Sequence, residues 1–200
     1  LSKFASKSDI ITPLEHAEDA ELRRKLCFRD SQNYKKRLTE FNARDVAKSI
    51  YNREIPRKFY NHMNANDVRN ALGAREFDAA KKISIVRNPY DMIVSMYFWD
   101  TKNLNSRPEF VSWLRQNPEY IYRNNRYYFI DGKPIIDEFI RFENFEEDLF
   151  RIEHVFPELK GIMTLMKNIK TKTNTRPRHA KVDRMFENCP FAKDAIRFFN

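Results

Sequence analysis

The stretch Lys82-Ile83-Ser84-Ile85-Val86-Arg87-Asn88-Pro89-Tyr90-Asp91-Met92-Ile93-Val94-Ser95-Met96-Tyr97 decides the reading of this chain. It reads as a strand, a sharp turn and a helix. Ile83, Ile85 and Val86 are β-branched, which suits a short buried strand. Asn88 can cap a helix, and Pro89 fits the first helical position, where its missing N–H costs nothing. Tyr90, Ile93, Val94, Tyr97 and Phe98 recur at i, i+3, i+4, i+7 and i+8, which is one apolar stripe of an amphipathic helix. Ser95 lies off that stripe, on a row with Asp91 and Trp99. Arg87 falls at the carboxyl end of the strand, where an open α/β sheet places its ligand crevice. A guanidinium there can grip a phosphate bidentately, and the Ser95 hydroxyl can donate a further hydrogen bond. The alternative is that Arg87 pairs with a carboxylate and Ser95 is a helix-surface residue.

Working outward, Leu14 to Leu26 reads as a helix with charged outer positions, and 31–41 as irregular to helical. Ala43 to Ile50 is a short helix that ends before Pro56. Lys58-Phe59-Tyr60 has the composition of a strand. Asn64 caps a helix that carries Asp67 in its first turn and ends near Gly73. Downstream, Pro108 to Gln116 is a short helix with Phe110, Val111 and Leu114. Tyr127 to Ile130, the turn Asp131-Gly132-Lys133 and Ile135-Ile136 suggest a hairpin or lid. Glu138 to Phe142 reads as a buried strand, with helices over Phe145 to Val155 and Pro157 to Met166. A Lys- and Thr-rich loop, 167–178, precedes one or two C-terminal helices. Alternating strands and helices predict an α/β fold with a small central parallel sheet flanked by many helices.

Two hundred residues, 42% of them hydrophobic, suit a single domain spanning 1–200. No run approaches the ~18 apolar residues of a membrane span. Two cysteines, Cys27 and Cys189, form no disulfide framework, so reduced thiols and a cytoplasmic setting are expected, with an oxidising lumen as the alternative. No Cys/His cluster has metal-ligand spacing, so no metal is expected. The formal net charge of +9 implies an anionic partner: a nucleic acid, an acidic glycan or a phosphorylated nucleotide. No zinc finger, aromatic RNA-binding pattern or basic region feeding heptads is present, so nucleic acid is not expected as the partner.

Val86-Arg87-Asn88-Pro89-Tyr90-Asp91 through Val94-Ser95-Met96-Tyr97 resembles the sulfotransferase motif that holds the 3′-phosphate of 3′-phosphoadenosine 5′-phosphosulfate (PAPS). A second segment, Phe139-Ile140-Arg141-Phe142-Glu143-Asn144-Phe145-Glu146-Glu147-Asp148-Leu149, is similar to the later strand and helix of that family. Asp9-Ile10-Ile11-Thr12-Pro13 and Asn33-Tyr34 resemble its carbohydrate-type branch, so the likeness runs from about residue 1 to 180. It implies a P-loop-like nucleotide-binding fold, PAPS as donor, and a hydroxyl of a glycan or similar acceptor as the target. It also implies Arg87 and Ser95 as the 3′-phosphate ligands.

The family's Pro-Lys-x-Gly-[Thr/Ser] loop, which holds the 5′-phosphosulfate with backbone N–H groups and a lysine, is absent from this sequence. Leu1-Ser2-Lys3-Phe4 is similar to the end of the helix after that loop. A strand and loop, on the order of 20 residues within such a unit, are therefore expected upstream. The alternative is that the protein lacks them, which would leave an inactive nucleotide-binding relative.

Sulfuryl transfer needs a base for the acceptor hydroxyl and cations for the leaving phosphate. Among His16, His62, His154 and His179, His62 is the candidate base: it follows the Lys58–Tyr60 segment and precedes a capped helix. In the resembling carbohydrate sulfotransferases a histidine in a Phe-x-x-His context is the base, and Phe59-Tyr60-Asn61-His62 matches it. An unperturbed pKa near 6.5 suits the task. A basic late loop often closes over the nucleotide in that family, which makes Lys172 and Arg176 candidate ligands; a solvated loop is the alternative. Tyr97 and Trp99 could face an acceptor sugar or belong to the core. Glu143 could order the Arg87 region by hydrogen bonds or form a plain ion pair. A Golgi-luminal setting is the alternative to the cytoplasm for a eukaryotic source. The competing functional class is a basic module that binds polyanions by charge alone.

Overall fold

A computed structural model describes residues 2–167 and 175–199. The chain divides into two compact units, Leu1–Ala80 and Lys81–Asn200, each taken by itself below.

Among its described residues the first unit holds the α-helices α1 (Ala17–Lys25), α2 (Ala43–Asn52), α3 (Ala65–Leu72) and α4 (Ala74–Ala79). Asn42 caps α2 by accepting from the Asp45 N–H at 2.9 Å, and the Asp45 carboxylate accepts from the Asn42 N–H at 3.1 Å. Asn64 caps α3, as its position predicts, accepting from the Asp67 N–H at 2.8 Å. Gly73, at φ 99, ends α3 where the sequence places its end, and the short α4 follows directly.

Lys58–Tyr60 is not a strand. Arg57 makes only an isolated antiparallel bridge to Lys35, and the N–H groups of Lys58 and Phe59 both turn onto the Tyr34 carbonyl at 2.7 and 2.9 Å. Residues 31–41 are irregular, with one 3₁₀ turn at Leu38–Glu40. The two early segments singled out in the sequence lie together: Ile11 bridges Gln32, and the Asn33 amide donates to the carbonyls of Lys7 (2.9 Å) and Asp9 (2.8 Å).

The second unit is mixed α/β. Strand β1 (Ile83–Val86) is followed by α5 (Pro89–Asp100), α6 (Phe110–Gln116) and α7 (Asn125–Tyr128). A hairpin of β2 (Phe129–Ile130) and β3 (Lys133–Pro134) comes next, then β4 (Glu138–Arg141). Helices α8 (Phe145–Val155), α9 (Ile162–Lys167), α10 (Val182–Met185) and α11 (Pro190–Phe199) complete it. The hairpin forms where expected but its turn is tighter: Asp131 and Gly132 alone make it, both with positive φ, 51 and 73, and Lys133–Pro134, not Ile135-Ile136, is the returning strand.

Strands β1 and β4 pair in parallel, from Ile83 opposite Glu138 to Val86 opposite Arg141. Parallel sheets are ordinarily covered on both faces. Here Ile85 is 52% exposed and, in β4, Ile140 alone is buried, so both strands are half-buried where buried strands were expected. The elements packed on this short sheet leave part of its surface open to solvent. The helix expected over Pro157–Met166 is also split, into a 3₁₀ turn at Pro157–Leu159 and α9, because Gly161 stands at φ 91 between them.

The core gathers the predicted stripe of α5. Ile93, Val94, Tyr97 and Phe98 are all buried, against Phe110, Trp113 and Leu114 of α6 and Phe186, Cys189, Ala192 and Ile196 nearer the C-terminus. Tyr97 meets Phe110 and Trp113 edge-on at 5.3 and 5.4 Å. The buried Thr101 at the end of α5 is satisfied: it donates to the Tyr97 carbonyl at 2.6 Å and accepts from Arg107 at 2.8 Å.

Candidate functional site

Parallel pairing sets the carboxyl ends of β1 and β4 side by side, so Arg87-Asn88 and Phe142-Glu143 emerge as neighbours. The turn after β1 closes as its residues dictate. The Asn88 side chain accepts from the N–H groups of Tyr90 (3.0 Å) and Asp91 (3.3 Å), and Pro89 takes the first helical position. The Asn88 N–H donates in turn to a Glu143 carboxylate oxygen at 2.7 Å. Glu143 thereby anchors the turn from the neighbouring strand, one of the two readings the sequence left open.

Arg87 turns back onto the first turn of α5. Its Nε donates to Asp91 Oδ2 at 2.6 Å and Nη2 pairs with the same oxygen. Its guanidinium carbon stands 4.5 Å from the centre of the Phe142 ring. Arg176 reaches the other carboxylate oxygen, Asp91 Oδ1, through Nη1, while its Nε and Nη2 both donate to the Ala180 carbonyl at 2.9 and 2.6 Å. Burial pushes the Asp91 carboxyl up, but the hydrogen bond of Arg176 and the charge of Arg87 outweigh it and hold the group below the usual carboxylate range. Ser95 lies one turn further along α5, half-buried, its hydroxyl without a hydrogen-bond partner among the described residues.

Beside this cluster opens a cleft of about 1010 Å³, lined by Asn88, Tyr90, Asp91, Phe142, Glu143, Val182, Asp183, Phe186, Lys193 and Arg197. Its walls are aromatic, with Tyr90 edge-on to Phe186 at 5.2 Å, and charges of both signs stand at its rim. That combination of apolar lining and a few placed polar groups is the usual form of a small-molecule site.

Of the residues singled out in the sequence, Arg87 and Arg176 thus meet on one carboxylate, with Ser95 on the same helix. Lys172 lies outside the described residues. His62 belongs to the first unit, in a turn at φ 57, with Nε2 3.7 Å from the Glu15 carboxylate. Tyr97 is a core residue whose hydroxyl donates to the Pro108 carbonyl at 2.6 Å, and the Lys102 ammonium covers the Trp99 ring at 3.3 Å. Both cysteines are free, Cys27 exposed and Cys189 buried.

Sequence reasoning missed Asp91 as the common partner, although Arg87 and Asp91 stand at i, i+4 and could have been paired on that spacing. It also missed the ring of Phe142 and the rim charges Lys193 and Arg197, for which no local signal exists. Among the described residues no group of His, Cys, Asp or Glu could hold a metal ion, and no helix is long and apolar enough to cross a membrane. No family model, curated protein or solved structure matches the chain.

Proposed function

We propose that this protein binds the 3′-phosphate of PAPS through Arg87 and Ser95, with Arg176 as a second guanidinium, and serves sulfuryl transfer to a hydroxyl of a glycan or similar acceptor. One observation carries the reading: two arginines 89 positions apart in number converge at the first turn of α5, beside a cleft large enough for a nucleotide. The N-terminal end of a helix and paired guanidinium groups both favour an anion with several oxygens.

In the proposed reaction the acceptor oxygen attacks sulfur and forms the new S–O bond. The bond from sulfur to the 5′-phosphate oxygen breaks, and adenosine 3′,5′-bisphosphate leaves with that electron pair. The acceptor proton passes to a base, for which His62 is the candidate on sequence grounds. PAPS enters as a donor substrate, and the scheme uses no metal.

The test is calorimetry and thermal shift with adenosine 3′,5′-bisphosphate, 5′-AMP and ATP on wild type and Arg87→Ala. Ligand at 100 times its Kd should stabilise the wild type by about 2.7 kcal/mol. The expected result is a preference for the 3′,5′-bisphosphate that Arg87→Ala abolishes. Equal binding of all three, with steep salt dependence and an ordinary response to Arg87→Ala, would replace this reading by charge-only polyanion binding. Selective binding without turnover would identify an inactive nucleotide-binding relative.

A further inference from the structure

A guanidinium has two edges that can each take an oxygen pair: the side-on edge of Nε and Nη2, and the end-on edge of Nη1 and Nη2. In Arg87 the side-on edge is taken by Asp91 Oδ2, and one face lies against the Phe142 ring. Nη1 has no partner among the described residues, and the side chain is 29% exposed. The arginine is therefore fixed on one edge and one face while its other edge stays available. Arg176 is held more fully, its Nε and Nη2 committed to the Ala180 carbonyl and its Nη1 to Asp91, so that only the second hydrogens of Nη1 and Nη2 stay available.

We propose that Asp91 and Phe142 are positioning residues: together they hold Arg87 side-on, so that its end-on edge takes one phosphate bidentately, and Asp91 brings Arg176 to the same anion. The inference rests on the phosphate-site reading above and adds to it the groups that aim the arginines. The physical reason is preorganisation. A long, flexible arginine loses rotamer freedom when it grips a ligand, and that cost is smaller if a fixed carboxylate and ring have already ordered it.

Charge alone predicts the opposite effect for Asp91. Removing its negative charge leaves two unopposed guanidinium groups, which should attract phosphate more strongly. Positioning predicts weaker binding, so the direction of the change separates the two.

The experiment titrates inorganic phosphate into the full chain, following the arginine Nε–H signals by NMR, with Arg87 assigned through Arg87→Lys. In wild type, phosphate should move the Arg87 signal. Asp91→Asn should weaken phosphate about tenfold, the size of about one hydrogen bond's net contribution once the arginine must be ordered on binding. Phe142→Leu, which touches no charge, should weaken it about threefold, the size of an exposed cation–π contact. An Asp91→Asn protein that binds phosphate equally or more tightly overturns the proposal, as does a wild type whose Arg87 does not respond. If Asp91→Asn fails to fold, as judged by thermal denaturation, Phe142→Leu decides, and an unchanged phosphate affinity there overturns the inference. Failure of the sulfotransferase reading looks different: phosphate binds and depends on Asp91, but the 3′,5′-bisphosphate gains nothing over 5′-AMP.

Discussion

Asp148 accepts from the Arg141 backbone N–H at 2.7 Å and from the Nε and Nη2 of the same arginine at 2.9 and 2.8 Å. The carboxylate is buried while Arg141 is half exposed, so the pair is a charge-assisted clamp with one side in solvent. These hydrogen bonds hold the Asp148 carboxyl down at about 2. A depressed folded-state value stabilises the protein above the ordinary carboxylate range near 3.9, and that stabilisation is lost as pH falls from there toward 2. Asp148→Asn is therefore expected to lower stability at pH 7 by about 1–2 kcal/mol, a figure kept small because solvent screens the arginine. Urea denaturation at several pH values checks it: the wild type should lose stability between about pH 4 and 2, and the variant should lose less over that window. The clamp also joins β4 to α8 on either side of Glu143, so it supports the residue that anchors the Asn88 turn.

At the scale of elements, α5 links core to site. One face of this helix is the buried stripe Ile93, Val94, Tyr97 and Phe98, and its first turn carries Asp91 and the capping Asn88. Asn88→Ala removes the acceptor for two N–H groups and should cost about 1 kcal/mol, whereas Asn88→Gly should cost only a few tenths, because glycine leaves the helix end open to water. Thermal unfolding of the two variants checks this; an Asn88→Ala protein as stable as the wild type would mean that the Asn88 side chain contributes nothing as a cap. The bond from the Asn88 N–H to Glu143 survives either change, since it belongs to the backbone. At Gly161 the geometry is a matter of conformation alone: a Cβ would meet nothing within 4 Å, but φ 91 is a region that other residues rarely enter.

For the molecule as a whole, the buried apolar residues are unevenly divided. The aromatic-rich core cluster runs from Ile93 to Ile196, wholly within the second unit. In the first unit the buried apolar residues are Ile11, Phe59, Ala65 and Phe77, among many charged positions. Stability grows with the apolar surface removed from water. Residues 81–200 expressed alone should therefore retain a cooperative thermal transition, and residues 1–80 alone should unfold over a broad range. Circular dichroism melts of the two fragments check this, and a sharp transition in the first fragment would contradict it.

The sequence by itself determined the local devices: the Asn88 and Asn64 caps, the Pro89 start, the stripe of α5 and the Asp131-Gly132 turn. Each depends on groups within about one or two helical turns or one tight turn, so residue type and spacing suffice. Arg87, Ser95 and Arg176 could be singled out from sequence, and the i, i+4 spacing put the Arg87–Asp91 pair within reach, but not the partners of Arg176 or the Phe142 ring beside Arg87. That Arg176 meets Asp91 across 85 positions, and that Glu143 meets Asn88 across 55, depends on the path of the intervening chain. Tertiary structure also decided that Lys58–Tyr60 turns onto Tyr34 instead of pairing as a strand, and that Ile85 stays exposed. Strand formation and burial depend on partners distant in sequence, and β composition describes a surface that fits a sheet without supplying the neighbour that completes it.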